Sequence, residues 1–394
     1  FDWLSYGEGA ETFSRREFAF TLPDETFMRY QSYNGAKEFG KVIGEKNPQR
    51  IEIGAIFSAA PKDHRRVTKF SPLSKAFVLD IDMDDYNSVR TCCQDSSVCI
   101  KCWVFMAIAV RTLDYLLREC FGYQHLLWVF SGRRGVHCWV CDSAARALLS
   151  HQRETIIMFL SVIAAGEANR STSLASDNSF FPLYPPLKQV YRDVLKPTFE
   201  TRIVGEQHVF ERKATLERVA SIVSALPEAS SIAKTIHEKW LKTVGDDDDD
   251  EALSKKRWRE LKRTLKQNVA HDQAKKIIFE IVFTFTYPRL DVNVSKELNH
   301  LLKSPFCVHP KTGLTCIPLV PEKVDTFHPQ NDPPHLHRLV QEMNNKSDDE
   351  KSQQATQAFQ KCVEYFQQSF LSPLLKSIRR DKQKAKQQQT TTTK

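Results

Sequence analysis

No run of apolar residues in this 394-residue chain approaches the roughly twenty needed to cross a bilayer, which argues against an integral membrane protein. A signal-peptide pattern is missing too, as is an initiator methionine: the chain opens Phe1-Asp2-Trp3-Leu4 and reads as a segment that begins inside a longer protein. Internal repeats are lacking, which excludes solenoids and propellers. Cysteine is scarce for a disulfide scaffold, at ten residues in so long a chain. Charge of one sign is not dominant either, and the net +8 leans only weakly toward an anionic partner such as nucleotide or nucleic acid. What remains is a globular composition, 41% hydrophobic and 26% charged, with material for one large or two to three ordinary domains.

The most informative stretch is Ala76-Phe77-Val78-Leu79-Asp80-Ile81-Asp82, a β-favouring apolar run ending in carboxylates. In a strand Asp80 and Asp82 share a face with Val78, while Phe77, Leu79 and Ile81 turn to a core. Two like charges so close repel unless a cation lies between them, and a hard divalent ion is the natural partner. A wet edge strand accounts for this stretch equally well when it is taken alone. Asp84 and Asp85 fall in the turn beyond and are set aside.

Upstream, Arg16–Leu22 and Phe27–Tyr33 alternate as the arms of a hairpin around Pro23-Asp24-Glu25, and Arg50–Ala55 alternates as a further strand. Their charges Glu17, Arg29, Arg50 and Glu52 read singly as solvent-facing, with an interest that depends on where a metal lies. Downstream, Cys92, Cys93, Cys99 and Cys102 form a C-C-x5-C-x2-C array, whose closing spacing lets two thiolates grip one tetrahedral zinc. Residues 103–121 carry a helical stripe that Gly122 stops.

Two apolar strands then flank Ser131-Gly132-Arg133-Arg134-Gly135. Both glycines can adopt positive φ, and backbone N–H groups with Ser131, Arg133 and Arg134 would cradle phosphate. His137 lies on the face opposite Val136, Cys138 and Val140, where it can point back at the same ligand. Cys138 and Cys141 fall on opposite strand faces and are left out of any metal site. Residues 142–273 turn helical, with Pro182, Pro185 and Pro186 as a connector and Gly245 with Asp246–Asp250 and Glu251 as an exposed acidic loop. Residues 275–287 are ambiguous between helix and strand; Leu290–Ser295 alternates as a strand carrying Asp291 outward. Lys303 and His309 are further candidate phosphate ligands. Residues 348–369 form a helix, and the basic, low-complexity end from Lys376 is expected to be disordered.

Taken in order, Arg16-Glu17-Phe18, Arg29-Tyr30-Gln31-Ser32, Asp80-Ile81-Asp82, the cysteine array, Ser131–His137, Arg289-Leu290-Asp291, Leu301–Phe306 and His309–Gly313 resemble the small catalytic subunit of eukaryotic primase, of the archaeo-eukaryotic primase superfamily. The resemblance implies an α/β (α+β) catalytic core with an RRM-like mixed sheet, a zinc knuckle and a helical insertion subdomain. It divides the chain into a first core part (1–141, with the knuckle at 92–102), a helical insertion (142–274), a second core part (275–335), a C-terminal helical segment (336–375) and a tail (376–394). The implied activity is synthesis of short RNA primers on single-stranded DNA from ribonucleoside triphosphates, through an RNA/DNA hybrid. Asp80, Asp82 and Asp291 would hold two Mg²⁺ or Mn²⁺ ions, and Cys92, Cys93, Cys99 and Cys102 one structural Zn²⁺. Ser131, Gly132, Arg133, Arg134, Gly135, His137, Lys303 and His309 would hold the triphosphate. Glu52 would lie near the ribose 2′-OH, Glu17 and Arg29 would be active-site polar residues, and Asn299, His300 and Leu302 would line the nucleotide pocket. Arg50 stands where lysine is expected and ranks low. The implied partners are an iron–sulfur large subunit and the DNA polymerase α complex, in the nucleus. Two alternatives stay open: a repair or translesion primase–polymerase preferring deoxynucleotides, and a noncatalytic zinc-stabilised module binding single-stranded DNA through the tail.

Overall fold

The computed structural model describes residues 1–161, 163–164, 184–242, 250–344 and 354–392. Pro182 and the acidic loop from Gly245 through Asp249 lie outside the described residues. The α/β expectation holds, with the main strands divided between two antiparallel sheets. The first runs in the order Leu302–Lys303 (β10), Arg50–Phe57 (β3), Arg16–Thr21 (β1), Phe27–Gln31 (β2), with Pro72–Ser74 (β4) also paired to β3. The second runs Pro318–Leu319 (β11), Leu126–Phe130 (β6), Gly135–Val140 (β7), Phe77–Asp82 (β5). Only the short pair Ile163–Ala164 (β8) and Arg289–Leu290 (β9) is parallel among the described residues.

Alternation explains how the sheets stack. Phe18, Phe20, Ile53 and Ile56 from the first sheet meet Val78, Leu127, Val129 and Trp139 from the second in one apolar core. The opposite face of the second sheet sends Phe77, Leu79, Ile81, Val136, Cys138 and Val140 into a larger core under helix Ile100–Phe121. That strand pair is therefore buried on both faces, which is why its text is nearly continuous in apolar residues. Carboxylates break this only at the end of β5, where the sandwich opens.

Helices Lys213–Ser224, Ser230–Leu241, Asp250–Asn268 and His271–Thr286 share the larger core, to which Phe199, Phe210, Trp240 and Trp258 contribute. The ambiguous stretch 275–287 is thus helical. No helix among the described residues is long and apolar enough to cross a membrane.

Two expectations fail for identifiable reasons. Leu290–Ser295 is not a strand: Asp291 caps helix Val292–Lys296, its Oδ1 accepting from the N–H groups of Asn293 (2.9 Å) and Val294 (3.3 Å). A cap of this kind outweighs the β preference of two valines. The tail is not shapeless either, because Ser372–Thr392 is helical. Beyond Pro373 it contains neither glycine nor proline and is rich in lysine, arginine and glutamine, all good helix formers. Leu374 and Ile378 anchor its first turns in the inter-sheet core beside Phe370.

Candidate active site

The antiparallel register of β5 and β7 sets Asp80 opposite His137 and Asp82 opposite Gly135. Residues paired in this way share a face, so His137 comes to Asp80, with Nε2 at 3.5 Å from Oδ1. Asp291 reaches the same place through its backbone, its N–H donating to the Asp80 carbonyl at 3.1 Å. Asp82 accepts from the Asp84 N–H at 3.1 Å, which turns the chain as it leaves β5.

Gly135 is where this register is most demanding. A Cβ there would sit 2.4 Å from the Ile81 carbonyl oxygen, so only a residue without one lets β7 lie this close to the acidic strand. Gly132 supplies the turn itself, at φ +85°, and a Cβ on it would stand 2.7 Å from the His309 Cβ and 2.9 Å from the Cys316 Sγ. The expectation of positive φ at both glycines therefore holds at Gly132, while Gly135 is required for close approach. Replacing Gly135 by alanine is expected to destabilise the fold by about 1–3 kcal/mol and to impair nucleotide binding more than the stability loss accounts for. Thermal melting beside nucleotide titration checks this; unchanged binding would detach Gly135 from the site.

Between the two sheets' ends lies a cavity of about 210 Å³. Asp80 and Asp82 form its acidic part; Arg50, Arg133, Arg134, Lys303 and His309 line it too, with Ser131, Gly135, His137, His300, Leu301 and Leu302 completing the lining. Arg50, discounted from sequence, is thus part of the wall. It is also ion-paired to Glu52. Glu52 is buried and lies beside Lys303 across the β3–β10 ladder.

Glu17 is not a solvent-facing charge but fully buried. Its Oε1 accepts from Arg29 Nε at 2.9 Å and from the Tyr30 N–H at 3.3 Å, while Oε2 has no partner. Burial raises its pKa, partly offset by Arg29. Arg29 in turn donates to the Asn299 carbonyl at 2.5 Å, so Asn299 contributes backbone while its side chain is exposed. Of the residues expected at the site, Glu17, Arg29, Glu52, Gly132, Asp291 and Asn299 do not line the cavity.

The electrostatics separate the two walls. Burial, then the charges of Asp82 and Asp291, push the Asp80 carboxyl up to about 7. Burial pulls His137 down to about 3, and burial with Lys303 and Arg133 pulls His309 down to about 4, so both imidazoles are neutral near pH 7. The His137 Nδ1 is buried without a partner. Lys303 is lowered, mainly by burial, and its Nζ donates to the Ser131 carbonyl at 3.1 Å. Arg134 lies against the acidic wall, 2.7 Å from Asp82 and 2.5 Å from Asp84. Asp84, set aside from sequence, is therefore a tether for that arginine.

The Ser131 N–H is taken by the Gly135 carbonyl (2.9 Å), and the Gly135 N–H by Ser131 Oγ (3.0 Å). These two N–H groups are spent on closing the turn. Lys75 escaped notice in the sequence because Ser74-Lys75-Ala76 reads as surface. It is fully buried, drawn down to about 7 by burial and Arg153, with Nζ donating to the Glu297 carbonyl at 3.1 Å.

The cysteine array lies apart from the cavity. The sulfurs of Cys92, Cys93, Cys99 and Cys102 all fall within 4.8 Å of one another and can hold one metal ion. Cys99 caps helix Ile100–Phe121, which places Cys102 one turn on, and Cys92 receives a hydrogen bond from Gln207 at 3.2 Å. Arg90 pins the loop, donating to the Ser97 carbonyl (2.7 Å) and to Asn87 Oδ1 (2.8 Å).

An acidic strand end and cationic and imidazole groups thus line one small cavity. The model of the family described as DNA primase small subunit matches residues 79–321, which include the cysteines and every cavity-lining residue except Arg50. The DNA primase small subunit of Schizosaccharomyces pombe is 38% identical over 354 residues, covering 88% of this chain and 75% of that protein. Its counterparts in Drosophila melanogaster and Saccharomyces cerevisiae are 37% and 33% identical, over 89% and 97% of this chain and 79% and 91% of theirs. The chain belongs to the DNA primase small-subunit family and is a primase enzyme.

Proposed function

We propose that the chain makes short RNA primers on single-stranded DNA by joining ribonucleoside triphosphates through two-metal nucleotidyl transfer. One observation carries this reading: the carboxylates of Asp80 and Asp82 and the cations Arg50, Arg133 and Lys303 line one cavity. The donor set fits divalent cations, since Asp80 is pushed up to about 7 by burial and then by the charges of Asp82 and Asp291, a repulsion that such ions relieve. Held by Asp80, Asp82 and Asp291, two Mg²⁺ or Mn²⁺ ions would supply Lewis acidity at the attacking hydroxyl and the departing pyrophosphate.

The chain's own residues do the rest. Arg133 and Lys303 offset triphosphate charge from a partly dehydrated wall, where a cation acts more strongly than in water. Neutral His309 and His137 orient phosphate oxygens without adding charge. Arg134, tethered to Asp82 and Asp84, keeps a donor beside the carboxylates. Glu52, fixed by Arg50, is the acceptor for a ribose 2′-OH, and His300 with Leu302 forms the base-side wall. The four thiolates suit a structural zinc: a tetrahedron with bonds of about 2.3 Å puts sulfurs about 3.8 Å apart, and the Cys92–Cys99 and Cys99–Cys102 separations are 3.5 and 3.9 Å. The motif resemblance implies, and we propose, that the chain works in the nucleus with an iron–sulfur large subunit and DNA polymerase α.

The test is synthesis on poly(dT) by the chain, alone and with its large subunit, with Mn²⁺ and either ATP or dATP. Short RNA from ATP is expected, and Glu52→Gln should narrow the preference for ATP about tenfold, the worth of one buried hydrogen bond to a hydroxyl. A preference for dATP would move the chain to the translesion reading. Binding to poly(dT) without any synthesis would leave only the noncatalytic one.

A further inference from the structure

Residues 61–70, Pro-Lys-Asp-His-Arg-Arg-Val-Thr-Lys-Phe, take no part in either wall of the cavity. The segment carries Lys62, Arg65, Arg66 and Lys69, all exposed, against the one carboxylate of Asp63. Asp63 reaches only Arg66, at a loose 4.0 Å. A cluster of like charges that the fold does not neutralise is held at a cost, and it is relieved by an anionic ligand.

The segment is also fastened. The Lys62 N–H donates to Ser32 Oγ at 3.3 Å, and Ser58 Oγ donates to the Lys69 carbonyl at 3.0 Å. His64 Nδ1 lies 2.9 Å from the Pro61 carbonyl oxygen. Its ring stacks on Tyr30 at 4.2 Å between centroids, and Phe70 lies edge-on to Tyr30 at 6.2 Å. Tyr30, Phe70 and His64 are all half-buried, leaving part of each ring open.

Tyr30 holds φ at +58°, a conformation that bulky residues rarely adopt and that therefore needs support from its surroundings. The support comes from the site: the Tyr30 N–H donates to Glu17 Oε1, and the Arg29 guanidinium lies 5.1 Å from the Tyr30 ring. Arg29 also binds the Asn299 carbonyl, next to cavity-lining His300. A continuous line of contacts thus runs from the cavity through Arg29 and Tyr30 to the basic segment.

We propose that residues 61–70 and the Tyr30–His64 stack form a track that holds successive phosphodiesters of the nucleic-acid strand beside the cavity. The inference rests on the chain being a template-directed polymerase. Free cations neutralise phosphates in a sequence-independent manner, and half-open rings take up sugars or bases. An acidic peptide would use the same cations but leave the rings without planar partners.

The experiment uses the full chain and a variant in which Lys62, Arg65, Arg66 and Lys69 are all alanine. Fluorescence anisotropy with labelled dT20, and with the same strand annealed to rA8, is measured across a salt series. Affinity for at least one probe is expected to fall tenfold or more, and the slope of log affinity against log salt to lessen by about 3, at 0.7–0.9 per phosphate contact for four cations. Loss on both probes places the template strand on the track; loss on the hybrid alone places the primer there. Mn²⁺-ATP binding is expected to be unchanged and the melting temperature not to fall, and Arg65→Lys with Arg66→Lys should restore most of the affinity. Parental affinity and salt slope on both probes would overturn the track, as would polyglutamate displacing dT20 as well as unlabelled dT20 does. A parent chain that makes no RNA overturns the polymerase reading instead, whatever the variant's affinity.

Discussion

Asp80→Asn is expected to abolish RNA synthesis on poly(dT) while leaving the protein more stable at pH 8 in buffer without added divalent ions. The activity loss should exceed about a thousandfold, because several kcal/mol of charge stabilisation by bound ions converts at about 1.4 kcal/mol per decade. The stability gain follows from linkage. Asp80 titrates near 7 in the fold against 3.8 as its ordinary value, so the folded state holds its proton more tightly than the unfolded chain does. Stability is then lost as pH rises from about 4 through about 7, where the folded protein keeps a proton that the unfolded chain has released. Asparagine cannot ionise and avoids that loss. The melting temperatures of parent and variant should therefore separate between pH 5 and 8 and converge near pH 4. Added Mn²⁺ should raise the parent's melting temperature but not the variant's, since a ligand that binds only the folded state stabilises it by mass action. Zinc content should stay the same in both. Activity within tenfold of the parent would remove Asp80 from the metal site, and a variant less stable at pH 8 would remove the repulsion argument.

That trade of stability for function also marks where the sequence is easy and hard to read. Alternation alone placed Phe77, Leu79 and Ile81 in one core and Asp80 with Asp82 on the other face, because a strand's period of two has no alternative once one face is buried. His137 was legible for the same reason, as its parity along β7 decides its face. Asp291 was harder. Its neighbours alternate as a strand would, and only the structure shows its carboxylate capping the following helix. Lys75 carries no local signal, since burial of a lone cation depends on what other segments lay over it, and Arg50 meets the cavity only because the fold brings β3 to its edge. The division of the strands into two sheets was likewise invisible, because β10 and β11 are two residues long and are recruited by β3 and β6 from far along the chain. The tail misled through composition: lysine and glutamine read as disorder, yet without a helix breaker the helix that Leu374 and Ile378 anchor runs on.

Removing the cysteine array's metal should affect stability far more than chemistry. Zinc-finger peptides draw about 10–16 kcal/mol from their metal because nothing else holds them. Here helix Ile100–Phe121 is already secured by Trp103, Val104, Phe105 and Met106, all buried, so the metal's contribution is confined to the loop that precedes it. Changing Cys99 and Cys102 together to serine is therefore expected to lower stability by about 3–5 kcal/mol, the range for loss of a defined structural element. Cys102 is fully buried, and a serine hydroxyl there loses the Cys99 N–H that now donates to its sulfur at 3.2 Å only if the helix start shifts. Elemental analysis should find one zinc per parent chain and none in the variant. Amide exchange should speed up from Thr91 to Cys99 and along the contact with Gln207, whose carboxamide bonds both the Thr91 N–H and Cys92. Primer synthesis per folded molecule should fall less than tenfold, because the array lies outside the cavity. The turn after Asp82 connects the array to the acidic strand, and Arg90 guards it by bonding Asn87 on one side and the Asp95 and Ser97 carbonyls on the other. A parent chain purified without chelators and found free of zinc would refute the assignment. A disulfide would not rescue it, since the sulfur separations of 3.5 and 3.9 Å are far from a bonded 2.05 Å. Loss of synthesis as complete as in Asp80→Asn would instead mean that the knuckle reaches the reacting strand.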